Sequence, residues 1–179
     1  MDADLRVFAE LATANGHYAD SGRHRVLPVT PSRRLAILTC MDSRIDVFDA
    51  VGLGLGESHV IRNAGARVTA DVRRSLALST HLLGTRSVAL IAHTNCGVHD
   101  PDGTIYDRMS GTMGRAPKDR DWFTFADPRQ ALREDADQLL AWPDRPDGFA
   151  VGAWLFDVTT GRLEEVVAPT AAAPVVPAE

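Results

Sequence analysis

The chain has 179 residues, 45% of them hydrophobic and 24% charged, which is the balance of a soluble globular domain with an ordinary core. A formal net charge of −5 argues against a nucleic-acid partner. No apolar run nears the ~20 residues of a membrane span, and the acidic lead Met1-Asp2-Ala3-Asp4 is not the basic start of a secretory signal; the expectation is a cytoplasmic protein with no membrane partner and reduced thiols.

In chain order, Leu5, Phe8, Leu11 and Ala12 have helical spacing, with Asn15-Gly16 as the stop. Nothing local covers this amphipathic helix, so it suits a partner subunit as well as its own domain. Pro28 and Pro31 punctuate the approach to a first strand over residues 34–40. A short helix begins in Ile45-Asp46-Val47-Phe48 and ends near Gly52. His59-Val60-Ile61-Arg62 reads as a second strand, closed by Asn63-Ala64-Gly65. Thr69 caps a helix to Leu83 with Val72, Leu76 and Leu83 inward and Gly84 at its end. A third strand covers 87–93. Strands alternating with helices predict a parallel sheet, which binds ligands beyond the carboxyl ends of its strands.

Residues 100–125 are rich in Gly, Asp, Arg and Pro and read as a loop with one helical turn. Asp127-Pro128 opens a helix to about Trp142 with a cap and a first-turn proline. Phe149 to Val158 is a strand, Thr159-Thr160-Gly161 a turn, and Leu163 to Val167 returns as a hairpin. The expected fold is α/β: a central, mainly parallel sheet flanked by helices, with an antiparallel C-terminal edge. One domain spans 1–167, and the Ala/Pro-rich 168–179 reads as a disordered tail.

Both cysteines lie in short segments that follow apolar strands. Cys40-Met41-Asp42-Ser43-Arg44 follows Leu35 to Leu38, and His93-Thr94-Asn95-Cys96 follows Val88 to Ala92. Two thiols and an imidazole at strand ends make a three-ligand zinc site if the first and third strands are neighbours. Three firm ligands and one exchangeable position is the pattern of catalytic zinc. Asp42 is a fourth ligand or an acid/base group. The alternatives are a Cys40–Cys96 disulfide and two inert buried thiols. The Cys-x3-Arg spacing excludes a phosphatase loop, which needs Cys-x5-Arg; position 46 is Asp. Gly52-Leu53-Gly54-Leu55-Gly56 runs from helix to strand, the wrong order for a dinucleotide fingerprint.

Cys40, Asp42 and Arg44, then Arg62-Asn63-Ala64-Gly65, then His93, Cys96 and Gly97 together resemble the β-class carbonic anhydrases. Pro31 stands where plant-type relatives carry a Gln, so the chain is similar to the short prokaryotic type. The resemblance implies Zn2+ held by Cys40, His93 and Cys96, with Asp42 either closing the fourth position or pairing with Arg44 as a catalytic dyad. It implies substrate contact at Gly97, with Asn63 and Gly65 as further candidates; loop support is the competing role for Asn63. His99 is a candidate proton relay. The implied reaction is reversible CO2 hydration by hydroxide attack at carbon. Carbonyl sulfide or carbon disulfide hydrolysis at the same site is the alternative, and a zinc-stabilised binding protein is the rival from another class. A small-molecule substrate and self-association as homodimer or tetramer are the implied partners.

Overall fold

The computed structural model describes residues 4–119 and 121–174. In chain order the elements are α1 (Arg6–Asp20), β1 (Leu35–Cys40), α2 (Val47–Val51), β2 (Ser58–Asn63), a 3-10 turn (Ala64–Ala66), α3 (Ala70–His81), β3 (Ser87–His93), α4 (Ile105–Met113), α5 (Pro128–Leu140), β4 (Ala150–Phe156) and β5 (Leu163–Ala171). The five strands lie in the order β2-β1-β3-β4-β5. The first three pairings are parallel, and β4 with β5 is antiparallel.

The helices begin where the side chains dictate. Asp46 accepts from the Asp49 N–H at 3.2 Å, Thr69 from Val72 at 3.4 Å, and Asp127 from Arg129 at 2.8 Å. Each occupies one of the donors a helix start leaves unpaired. Gly52 ends α2 at φ 65°, a left-handed conformation that only glycine adopts without cost.

Alternation along the strands sorts the core onto two faces. Ala36 and Leu38 of β1, Val88 and Leu90 of β3, and Val151, Ala153 and Leu155 of β4 pack with α3 and α5 residues such as Leu76, Leu132 and Leu139. Ile37, Ile91 and Phe156 face the other way, with Ile45 and Val47. Strands buried on both faces read as continuous apolar runs. Thr39 is fully buried and donates to the Ile91 carbonyl at 2.8 Å, tying β1 to β3 beside their carboxyl ends.

Four sequence expectations are corrected. Helix α1 runs through Asn15-Gly16 to Asp20, because Gly16 keeps a right-handed conformation. The end comes at Ser21, whose N–H bonds the His17 carbonyl at 3.1 Å, followed by Gly22 at φ 66°. Helix α3 stops at His81, short of Leu83. The 100–125 segment contains a nine-residue helix, α4, rather than one turn. Asp100 anchors its start by accepting the N–H groups of Thr104 at 2.8 Å and Ile105 at 3.0 Å. Strand β5 continues to Ala171, into the expected tail, with register shifts opposite Val151–Trp154. Residues 175–179 of that tail lie outside the described residues.

Candidate metal centre

Cys40 ends β1 and His93 ends β3, and the parallel pairing of these strands brings the two together. Cys96 follows a turn in which Asn95 takes φ 53°. Thr94 holds that turn against β4: its N–H bonds the Phe156 carbonyl at 2.9 Å, and its hydroxyl accepts from the Val158 N–H at 3.2 Å. The ligand atoms of Cys40, His93 and Cys96 lie within 4.8 Å of one another, all three residues being buried.

This donor set fits zinc. The two sulfurs are 3.9 Å apart, close to the roughly 3.8 Å that tetrahedral geometry with Zn–S near 2.3 Å requires. The distance is far beyond a disulfide bond, and both cysteines are free thiols. The His93 Nδ1–H donates to the Thr94 carbonyl at 2.9 Å, which leaves Nε2 with the lone pair. That Nε2 is buried and has no hydrogen-bond partner. An orphaned buried acceptor costs about 1–3 kcal/mol, and a cation placed between it and the sulfurs removes that cost.

Electrostatics point the same way. The contact with the Cys96 sulfur, 3.9 Å away, and the N–H of Gly65 hold the Cys40 thiol below its ordinary pKa, against the opposing effect of burial. The same sulfur contact and burial push Cys96 up. A divalent cation between the two buried sulfurs would stabilise both as thiolates.

Asp42 stands beside this group without belonging to its three-atom cluster. Arg44 grips it in a fork: Nε to Oδ1 at 2.9 Å and Nη2 to Oδ2 at 2.8 Å, with the Arg44 N–H on Oδ1 at 3.0 Å. The guanidinium holds the carboxyl far below the usual carboxylate range, so Asp42 accepts hydrogen bonds and does not donate them. Its Oδ2 lies 3.8 Å from His93 Nε2. Arg44 also donates to the Asn95 carbonyl at 2.9 Å, tying the first motif to the second. Arg62 carries a role that its motif alone did not reveal. Its guanidinium donates to the carbonyls of Cys40 at 2.9 Å, Asp42 at 2.6 Å and Ile45 at 3.2 Å, clamping the loop that carries the dyad.

A cavity of about 370 Å³ opens beside the cluster, lined by Met41, Gly97, Val98, Ile105, Met109 and Trp122 among others. Ile105, Arg108, Met109 and Thr112 of its wall lie on α4, in the segment that the sequence marks as a loop with one helical turn. A Cβ on Gly97 would meet no atom within 4 Å, so the backbone there is open. Gly65 donates its N–H to Cys40 Sγ at 3.4 Å. The Asn63 side chain is spent on Arg67: Oδ1 accepts the N–H at 3.0 Å and Nδ2 donates to the carbonyl at 2.7 Å. His99 Nε2 bonds the Ala126 carbonyl at 2.9 Å and its ring lies against Phe125, an architectural placement.

Residues 35–113 match the family model described as carbonic anhydrase. A curated β-carbonic anhydrase 1 of Mycobacterium tuberculosis is 39% identical over 157 residues, covering 85% of this chain and 93% of that protein. A carbon disulfide hydrolase of Saccharolobus solfataricus is 43% identical over 79 residues, 44% of this chain and 39% of that protein. The solved carbonic anhydrase of Streptococcus mutans superposes with a TM-score of 0.84 at 37% identity, covering 93% of this chain and 99% of that one.

Proposed function

For this chain, which belongs to the β-carbonic anhydrase family, we propose the reversible hydration of carbon dioxide to bicarbonate and a proton at a Zn2+ held by Cys40, His93 and Cys96. The observation that carries the reading is the buried Cys40, His93 and Cys96 group with its unpartnered imidazole nitrogen. Zinc, when bound, supplies Lewis acidity and a water acidified toward neutral pH. The chain supplies the rest. His93 is fixed in one tautomer by the Thr94 carbonyl. Asp42, kept ionised by Arg44, presents Oδ2 as an acceptor that orients a hydroxyl proton near the cluster. The mainly apolar cavity, whose α4 side carries Ile105 and Met109 together with Arg108 and Thr112, has room for a small apolar molecule, and the bare backbone at Gly97 leaves room for its oxygen.

A second reading is hydrolysis of carbonyl sulfide or carbon disulfide, linear triatomics attacked at the same carbon. It is supported by the relative named a carbon disulfide hydrolase and by an apolar cavity wall that does not discriminate sulfur from oxygen. Parallel turnover of CO2, carbonyl sulfide and carbon disulfide by one zinc-quantified sample separates the two. Fast hydration with weak sulfide release supports the first reading, and the converse moves the substrate to the sulfur analogues.

The same reading has the protein cytoplasmic and self-associated as a homodimer or tetramer. Helix α1 supports self-association, since none of its residues is buried although Leu5, Phe8 and Leu11 form an apolar stripe. No helix among the described residues is long and apolar enough to cross a membrane.

A further inference from the structure

We propose that Asp135, on α5, is a positioning residue for the metal centre: through Arg67 and Asn63 it fixes the Gly65 N–H on Cys40 Sγ and so sets the donor strength of that sulfur. The proposal rests on the zinc reading above.

The loop after β2 is held in an unfavourable shape. Gly65 has φ 80° and the next residue, Ala66, has φ 60°. A left-handed alanine costs about 1–2 kcal/mol, and persists only where the surroundings over-determine it. Ala66 is buried, and a Cβ at Gly65 would lie 2.7 Å from Val98 Cγ2 and 3.1 Å from Phe125 Cε1. The result of this shape is that the Gly65 N–H turns inward to the Cys40 sulfur, 3.4 Å away.

Two devices hold it. Asn63 closes the loop by pairing both ends of its amide with the Arg67 backbone, at 3.0 and 2.7 Å. Arg67 is then pinned from outside: its Nε meets Asp135 Oδ2 at 2.7 Å and its Nη2 meets Oδ1 at 3.3 Å. The Asp135 side chain is only 4% exposed and that of Arg67 14%. Removing Asp135 leaves the Arg67 guanidinium with the Phe123 carbonyl at 3.5 Å and the exposed Glu134 carboxylate at 4.0 Å, weak compensation for a largely buried charge, so Arg67 would leave its place and release the loop. A hydrogen bond to a ligating sulfur withdraws charge from it, and partners of this kind orient and tune the metal. The chain of contacts therefore runs from α5 to the donor atom. It also gives Asn63 the loop-supporting role that its motif left open beside substrate contact.

The test uses the full-length protein loaded with Zn2+, and separately with Co2+, whose thiolate charge-transfer absorption reports on the sulfur donors. In Asp135→Asn and Asn63→Ala the charge-transfer band is expected to move to lower energy, as the sulfur becomes more electron-rich. Zinc affinity by chelator competition is expected to fall about tenfold. Ser79→Ala is the control, because it removes a buried hydroxyl that bonds Thr85 at 2.8 Å and His59, at the far end of β2, at 2.7 Å, with no hydrogen bond to residues 63–67. Should Asn63→Ala fail to fold, Asn63→Asp, which keeps the acceptor and loses the donor, is read the same way. Variants that lose stability as the control does, with band and affinity unmoved, would make Asp135 purely structural and overturn the proposal. A wild-type protein with no thiolate-to-cobalt band would instead bring down the zinc reading beneath it.

Discussion

At the scale of single residues, the proposed function gives the Asp42–Arg44 pair and the open glycine at 97 separate roles. Arg44 spends two nitrogens on Asp42 and keeps it an acceptor. Asp42→Asn replaces one acceptor oxygen by a donor and leaves the three-atom cluster untouched. The variant is expected to retain its zinc, by elemental analysis, and to lose at least a hundredfold in stopped-flow hydration, about 2.7 kcal/mol of transition-state stabilisation. Gly97 offers a cleaner steric test. Its φ is not in the left-handed region, and a Cβ there meets nothing. Gly97→Ala should melt within a few degrees of wild type yet hydrate CO2 about tenfold more slowly, because the methyl projects into the substrate's space. Unchanged turnover in that variant would remove Gly97 from the site. The clustering of Cys40, His93 and Cys96 was legible in the sequence because each sits at or just beyond the end of an apolar strand, where chemistry-bearing residues stand out. The Arg67–Asp135 pair was not, since its members are 68 positions apart and neither has a local signature.

At the scale of elements, strands β1 and β3 were legible nearly to the residue. Both are buried on two faces, so their apolar runs have sharp ends. Helix α4 was obscured because Ser110, Gly111 and Thr112 dilute its propensity. The signals that mark it are Ile105 and Met109 at i, i+4, and Gly114 closing it at φ 64°. Strand β5 was cut short because Ala168-Pro169 resembles a tail; register shifts in the β4–β5 pairing accommodate the proline. Helix α4 also lines the cavity proposed to take the substrate. Met109→Ala enlarges the 370 Å³ cavity at its wall, and the ratio of carbon disulfide to CO2 turnover is expected to rise about tenfold, the lower end of the 10–200-fold that one pocket contact can discriminate. A ratio that stays constant, measured on samples of equal zinc content, would place the width control elsewhere.

At the scale of the whole molecule, the sheet is covered unequally. One face carries α3 and α5, and the other has α2, with Val60, Ala89 and Leu53 only partly buried. Helix α1 contributes nothing to either core: Leu5 is 71% and Phe8 64% exposed. This uncovered apolar stripe is the surface on which the proposed self-association would rest. Phe8→Glu combined with Leu11→Glu is therefore expected to shift the protein toward monomer by light scattering, with the fold intact by circular dichroism. An unchanged mass would mean that α1 is not the contact. The N-terminal apolar spacing was legible in the sequence, but its length was not, because Asn15-Gly16 reads as a stop wherever the backbone is free to turn left-handed, and here it does not turn.

The account stands most directly on zinc content measured together with CO2 hydration, before and after removal of the metal by a strong chelator. One zinc per chain, fast hydration that vanishes with the metal, and recovery on adding zinc back are the predicted results. A protein that binds no zinc, or binds it tightly and turns over neither CO2 nor its sulfur analogues, would contradict the account.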